Sequence, residues 1–483
     1  MDYLERIEAN KDLQIKTLQD LVSIKSVVSS PVVTRDGEVY PFGQGVQDAF
    51  VCFLEKARQL GFETKNVDNY GGHVDFGDGE ETVSVLGHLD VVPEGEGWRL
   101  DPYSGTVEDG YIYGRGTLDD KGPMVAALFA MKALKDSGYV PARRIRMILG
   151  LDEETKWEGM EYYFQREPMP DYGFTPDGEF PVINGEKGML IFEIAKKFPK
   201  NQSKGGLSLS SLSGGSAVNM VADRARAVVS AGSPDIYSHI KELAADFREE
   251  TGYKLHVRGV GKSLEIVTEG KAAHGAAPEE GLNAISIMME FLGKLNFSSD
   301  EVNVFFDFYN KYIGFDVDGQ RLGCGLADEA SGKLTLNVGL VHCDKEAAGL
   351  VVNVRYPVTC TEEQVYEGIL PVLNQYDMGL IKHGGKEPIY MEPDSPMIRT
   401  LMEVYQSHTG DTESRPLVIG GGTYAKAAKN TAAFGALFPG DADLMHQKDE
   451  RLSLDRFMTM TRIYADALYK LTQPDFTLME ESL

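Results

Sequence analysis

Two apolar runs of strand length, Thr82–Leu86 and Arg144–Gly150, enclose a helical pattern that begins near Pro123 and ends at Gly138. Strand, helix and strand in that order predict a parallel pairing, which must be covered by helices on its faces. In such folds polar groups gather just beyond the carboxyl ends of the strands. The two runs lead into Gly87-His88-Leu89-Asp90 and Leu151-Asp152-Glu153-Glu154, so the chemistry is expected there.

A chain of 483 residues is long for one simple core and predicts more than one lobe. A helical pattern over residues 1–28 and a second helix, Val46–Leu60, precede the first strand. From Lys187 to about Lys386 the character changes. Alternating strands such as Met189–Ile194 and Ser263–Val267 are mixed with helices at 234–250 and 281–295, and a Ser/Gly stretch at 203–216 is expected to be a loop tip. Beyond it, Met397–Thr409 and Leu454–Leu471 are helical patterns around a short strand, Leu417–Ile419. The expected fold is α/β: a discontinuous catalytic domain (1–186 and 387–483) with a mixed or parallel sheet flanked by helices, interrupted by an inserted α+β domain at 187–386.

No stretch reaches the roughly 18 apolar residues of a membrane span, and the amino terminus lacks the apolar segment of a secretory signal. Cys52, Cys324, Cys343 and Cys360 are scattered and read as free thiols. These features predict a cytoplasmic protein. A formal net charge of −26, with no basic cluster standing out, argues against nucleic acid and anionic lipid surfaces as partners.

His88 and Asp90 stand two residues apart at a strand end, a spacing that suits a metal ligand and the acid that orients it. The turn Gly114–Pro123 carries Asp119 and Asp120 directly before a helix; an acid there either caps the helix or binds a cation. Asp120 is expected to be a carboxylate bridging two metals, because Glu153 and Glu154 at the next strand end supply two more adjacent acids that repel without a cation. Side chains diverge at a strand-to-loop transition, so one of that pair can bind metal while the other faces the water held there. Asp177 in Pro176-Asp177-Gly178 and His446 in Met445-His446, ahead of an acidic, helix-starting stretch Gln447-Lys448-Asp449-Glu450, would each, alone, read as an ordinary turn acid and surface histidine.

Taken together these motifs resemble the metal-dependent aminoacylase/carboxypeptidase family, and within it the bacterial dipeptidases of the peptidase V type. The likeness runs essentially end to end. Its carriers are Gly87–Pro93, the Gly114–Pro123 turn, Asp152-Glu153-Glu154-Thr155, Pro176-Asp177 and Met445-His446. The resemblance implies two divalent ions, one held by His88, Asp120 and Asp177 and the other by Asp120, Glu154 and His446. That nitrogen and oxygen set suits Zn²⁺ and would also accept Mn²⁺ or Co²⁺. It implies Glu153 as the general base acting on a metal-bridging water. In the insertion, Glu269–Pro278 resembles a lid motif in which His274 donates to the oxyanion. Asn219 and Arg355 resemble the residues that hold the substrate backbone and carboxylate, and Gly420 and Gly421 those that bring backbone N–H groups to that carboxylate. A surface arginine and a plain tight turn are the competing readings of Arg355 and the glycines.

The resemblance further implies a monomer whose lid is doubled within the chain, with subdomains of about 187–298 and 299–386. The expected activity is hydrolysis of dipeptides with a free amino terminus, extending to β-alanyl dipeptides such as carnosine, with Asp119 pairing with the substrate amine. The alternative is an N-acyl amino acid or succinyl-diaminopimelate-type deacylase; a non-catalytic binding protein is disfavoured because the whole ligand set and Glu153 are present.

Overall fold

The computed structural model describes residues 3–198 and 206–478. It divides into two compact units, Met1–Gly185 with Met391–Val418 and Gly422–Leu483, and Glu186–Tyr390 with Ile419–Gly421. Among the described residues no helix is long and apolar enough to cross a membrane.

The first unit is built on a mixed sheet. Its strands run in the order Glu63–Val67, Gly71–Phe76, Arg144–Gly150, Thr82–His88, Tyr172–Thr175, Thr431–Ala433 and Ile183–Glu186. Thr82–His88 pairs in parallel with Arg144–Gly150, with His88 opposite Gly150, so the two polar strand ends lie side by side as the sequence predicts. The crossover helix Lys121–Asp136 is buried almost throughout and packs with Leu454–Leu471. Val83, Val85, Phe129, Ile145, Met147 and Ile463 belong to this core. Each such side chain contributes about 1.5–3 kcal/mol on leaving water. The result is a rigid platform beneath the strand ends.

Among the described residues, the second unit is built on an antiparallel sheet of eight strands. The order is Lys254–Val260, Ser263–Glu269, Arg224–Ala231, Leu207–Gly214, Thr335–Cys343, Ala347–Tyr356, Gly188–Lys197 and Gly379–Lys386. Strict alternation buries Leu190, Phe192 and Ile194 on one face of Gly188–Lys197 while Ile191 and Glu193 look outward. The two halves expected as subdomains meet in this sheet, through the pairing of Leu207–Gly214 with Thr335–Cys343.

Three local expectations change. Of the Ser/Gly stretch expected as a loop tip, residues 203–205 lie outside the described residues and 207–214 form a strand. Leucine alternating with serine is a strand pattern, and a bulge between Leu209 and Ser211 shifts the phase so that Leu212 still faces inward. The amino-terminal helix is two helices, Tyr3–Ala9 and Lys11–Val22. It stops short of residue 28 because the Ser26-Val27-Val28-Ser29-Ser30-Pro31 run has poor helix propensity and ends at a proline. Residues 447–450 do not start a helix; the strand Arg451–Ser453 intervenes, and Ser453 caps the helix that follows.

The first unit also contains an acid-sensitive group on the strand Gly71–Phe76. His73 is buried, its Nδ1 2.8 Å from the Tyr163 hydroxyl, and its pKa is lowered to about 4 by burial and by the Arg146 charge. The folded state therefore resists the proton that the unfolded chain takes up near pH 6.5. This stability is fully present above pH 6.5 and is lost as pH falls toward 4, by roughly 2–3 kcal/mol. Urea denaturation at pH 7 and pH 5 should show the wild type losing more stability than His73→Gln, and equal losses would rule this group out as the sensor.

Candidate metal centre

His88 ends its strand with a fully buried ring. Its Nδ1 lies 3.0 Å from the Asp90 carbonyl oxygen and 3.3 Å from Asp90 Oδ1, contacts that fix the ring and favour a lone pair on Nε2. The Asp90 carboxylate also accepts the backbone N–H groups of Glu153 and Glu154, each at 3.1 Å. One acid thus positions a histidine from one strand end and two acids from the next.

Asp119 stands between two imidazoles. Its Oδ1 is 3.0 Å from His88 Nε2 and its Oδ2 is 2.9 Å from His446 Nε2, which lies 2.9 Å from Glu154 Oε1 as well. Asp177 Oδ2 approaches His88 Nε2 to 3.8 Å. Donor atoms of His88, Glu153 and Asp177 fall within 4.8 Å of one another, and so do those of His88, Asp119 and Glu154. His446 reaches the cluster from a left-handed backbone conformation, φ 61°, and its side chain remains 50% exposed, which leaves that side open to solvent.

The residue that stands between the two histidines is Asp119, not Asp120 as expected. Asp120 is the residue before the helix Lys121–Asp136, and its side chain does not cap that helix. It turns toward Gly87, where any Cβ would collide with Asp120 Oδ2, and that oxygen accepts the His88 backbone N–H at 3.2 Å. Adjacent side chains diverge at this turn, so one acid faces the imidazoles and its neighbour supports the strand beneath them. Both oxygens of Asp119, expected to meet a substrate amine, face histidines instead.

The charge balance calls for cations. Burial opposes a charge on His88, but the carboxylates of Asp119 and Asp90 hold its pKa well above the usual value, and Asp119 and Glu154 push His446 up to about 11. Asp119 is held well below the carboxylate range by the two histidines, against its burial. Burial lifts Asp120 and Glu153 well above it, with the Asp177 charge adding to both, and burial together with Asp119 raises Glu154. His88 Nε2 and Asp119 Oδ1 are buried and approach closely without hydrogen-bond alignment. Two buried lone-pair donors beside several acids fit divalent ions.

Sequence reasoning missed two supports of this cluster. Glu450 is fully buried: Oε1 accepts the backbone N–H groups of Gly116 (3.0 Å) and Leu118 (2.8 Å), and Oε2 pairs with Arg115 Nη1 at 2.6 Å. An arginine in the glycine-rich turn was the available signal that a buried acid would answer it. Tyr424, which follows Gly420-Gly421-Gly422-Thr423, packs its ring edge-on to His88, and the space it fills exists because residue 150 has no side chain.

The remaining predicted residues belong to the second unit. His274 pairs with Met220 through an isolated bridge, and Gly275 N–H donates to the Asn219 carbonyl at 2.7 Å, so the structure brings Asn219 and His274 together. Ala276 N–H donates to His274 Nδ1 at 3.3 Å, which leaves the ring proton on Nε2. Gly420 lies against Ala276, while Gly421 lies near Ile419. Arg355 is buried on the strand Ala347–Tyr356, its Nε donating to Asn353 Oδ1 at 3.2 Å. Burial lowers its pKa to about 10, with Glu186 opposing the shift.

Comparison with known proteins gives the family of the chain. The family model described as peptidase family M20/M25/M40 matches residues 85–470. The protein YtjP of Bacillus subtilis (strain 168) is 37% identical over 472 residues, covering 97% of this chain and 99% of its own. The Beta-Ala-Xaa dipeptidase of Lactobacillus delbrueckii subsp. lactis is 36% identical over 482 residues, covering 98% and 99%. Among solved structures, human carnosine dipeptidase 1 shares the fold with a TM-score of 0.56 at 17% identity, covering 97% of this chain and 98% of that one. A family model spanning most of the chain and near full-length relatives above the threshold of chance lead to one conclusion: the chain belongs to peptidase family M20/M25/M40.

Proposed function

We propose that this protein is a dipeptidase working with two divalent ions, Zn²⁺ being the best match to its donors. The observation that carries the reading is Asp119, whose two oxygens each face a different histidine at 3.0 and 2.9 Å. His88, Asp119 and Asp177 would hold one ion, and Asp119, Glu154 and His446 the other. When bound, the ion pair supplies Lewis acidity to the scissile carbonyl and lowers the pKa of water.

The chain's own groups do the rest. Glu153 takes a proton from the attacking water and delivers it to the leaving amine nitrogen. The His274 Nε2–H is the donor for the oxyanion, worth a few kcal/mol in the transition state. The Arg355 guanidinium, buried and held through Nε by Asn353, pairs with the substrate carboxylate through its planar fork. The near full-length likeness to a Beta-Ala-Xaa dipeptidase supports small peptides, including β-alanyl ones, as substrates.

The test compares a free dipeptide, β-alanyl-histidine or alanyl-leucine, with its N-acetylated counterpart on metal-loaded protein and on chelated protein. Cleavage of the free dipeptide alone, abolished by chelation and restored by Zn²⁺, is expected. Preference for the acetylated compound would move the assignment to a deacylase, and hydrolysis that survives chelation would overturn the metal mechanism.

A further inference from the structure

Between the strands Leu207–Gly214 and Arg224–Ala231 the chain is irregular apart from the isolated bridge of Met220 to His274, and Asn219 lies in that stretch. Asn219 and His274 are both exposed. Backbone outside a ladder leaves carbonyls that need donors from elsewhere.

Asn337 supplies two of them. It is 2% exposed, on the strand Thr335–Cys343, between Leu336 and Val338 of the core. Its Nδ2 donates to the Met220 carbonyl at 2.9 Å and to the Val218 carbonyl at 3.3 Å. The carbonyl between these two, that of Asn219, accepts the Gly275 N–H at 2.7 Å, and the Val221 N–H donates to the Ala273 carbonyl at 2.9 Å. The segment 218–221 is therefore held by Asn337 and, in turn, holds both neighbours of His274.

Packing does not account for this residue. Asparagine is a poor strand former, and burying its amide costs free energy unless its hydrogen bonds are made. Gly339 serves the same contact. It is the residue skipped by the bulge between Val338 and Leu340, and a Cβ there would stand 2.3 Å from the Val218 carbonyl oxygen, so its missing side chain lets the loop come within reach. Asn337 also lies opposite Asn353, whose Oδ1 accepts from Arg355 Nε. One pair of strands thus sets the places of His274 and Arg355 together.

We propose that Asn337 is a positioning residue: it fixes the Val218–Met220 segment and, through it, the place of the His274 ring. Its effect on turnover rests on the dipeptidase reading above; its effect on the loop does not. An oxyanion donor must come within about 2.7–3.1 Å of the developing charge. A displacement of about 1 Å can cost about 10²-fold in rate.

The test compares Asn337→Ala and Asn337→Leu, the second of which keeps the volume and removes both donors, in the metal-loaded full chain. Circular dichroism confirms folding. Both variants should lower kcat on alanyl-leucine by about 10- to 100-fold with KM little changed, the mark of an interaction made in the transition state. In a His274→Ala background, where the donor is already gone, Asn337→Ala should cost no more than about 3-fold further. Hydrogen exchange without substrate should quicken at the Gly275 and Val221 amides and stay unchanged at Leu190–Ile194. Wild-type exchange at Gly275 and Val221 in both variants would overturn the proposal, and so would an equal rate loss with and without His274. A wild type that cleaves no dipeptide would refute the dipeptidase reading, while the exchange data would still decide whether Asn337 holds the loop.

Discussion

Asp119→Ala should lose metal and activity together, whereas Asp120→Ala should keep most of its metal. In the first variant His88 and His446 no longer share a carboxylate, and each proposed ion loses a ligand. Substitution of outer groups at metal sites costs 10- to 100-fold in affinity, so loss of a shared ligand should exceed about 100-fold. Asp120 touches the His88 backbone, and its removal should shift the strand end slightly and lower activity by about 10-fold. Metal analysis after dialysis, with circular dichroism to confirm folding, reads both outcomes. Metal retained by Asp119→Ala and lost by Asp120→Ala would reverse the assignment made from the geometry.

Glu153→Ala should do the opposite to the two quantities: metal stays and turnover falls by about 10²–10⁴-fold. Glu153 is anchored by its backbone N–H to Asp90 and by its carbonyl, which accepts the Trp157 indole N–H at 2.7 Å. Its side chain can therefore be removed without moving the loop. The remaining rate would come from the ions and the other donors. A variant that turns over within about 10-fold of wild type would exclude Glu153 as the proton carrier, and one that also loses metal would make it a ligand.

The sequence makes the platform legible because periodicity reports burial directly. Thr82–His88, Lys121–Asp136, Arg144–Gly150 and Leu454–Leu471 all fall where apolar spacing places them, within a few residues. The site is legible as a set of residues and less so as a geometry. Asp119 and Asp120 are identical in type and adjacent, and which one faces the histidines depends on the path of one turn, a fact that no spacing rule carries. Glu450 was read as the start of a helix because acids favour that position; its burial follows from Arg115 more than three hundred residues away in the chain. The strand at Leu207–Gly214 was hidden by low complexity, although its leucines keep the two-residue period until the bulge.

Glu450 also orders events in time. It holds the amides of Gly116 and Leu118, one residue from Asp119, and it follows His446 by four positions. A ribosome that has made the second unit has already released His88, Asp119, Glu154 and Asp177, but neither the histidine opposite Asp119 nor the acid that steadies its turn. In the proposed two-ion centre, metal capture therefore waits for the synthesis of His446 and Glu450. A nascent or carboxyl-terminally clipped chain would hold its acids together without the imidazole that completes them, and would remain inactive whatever the metal supply.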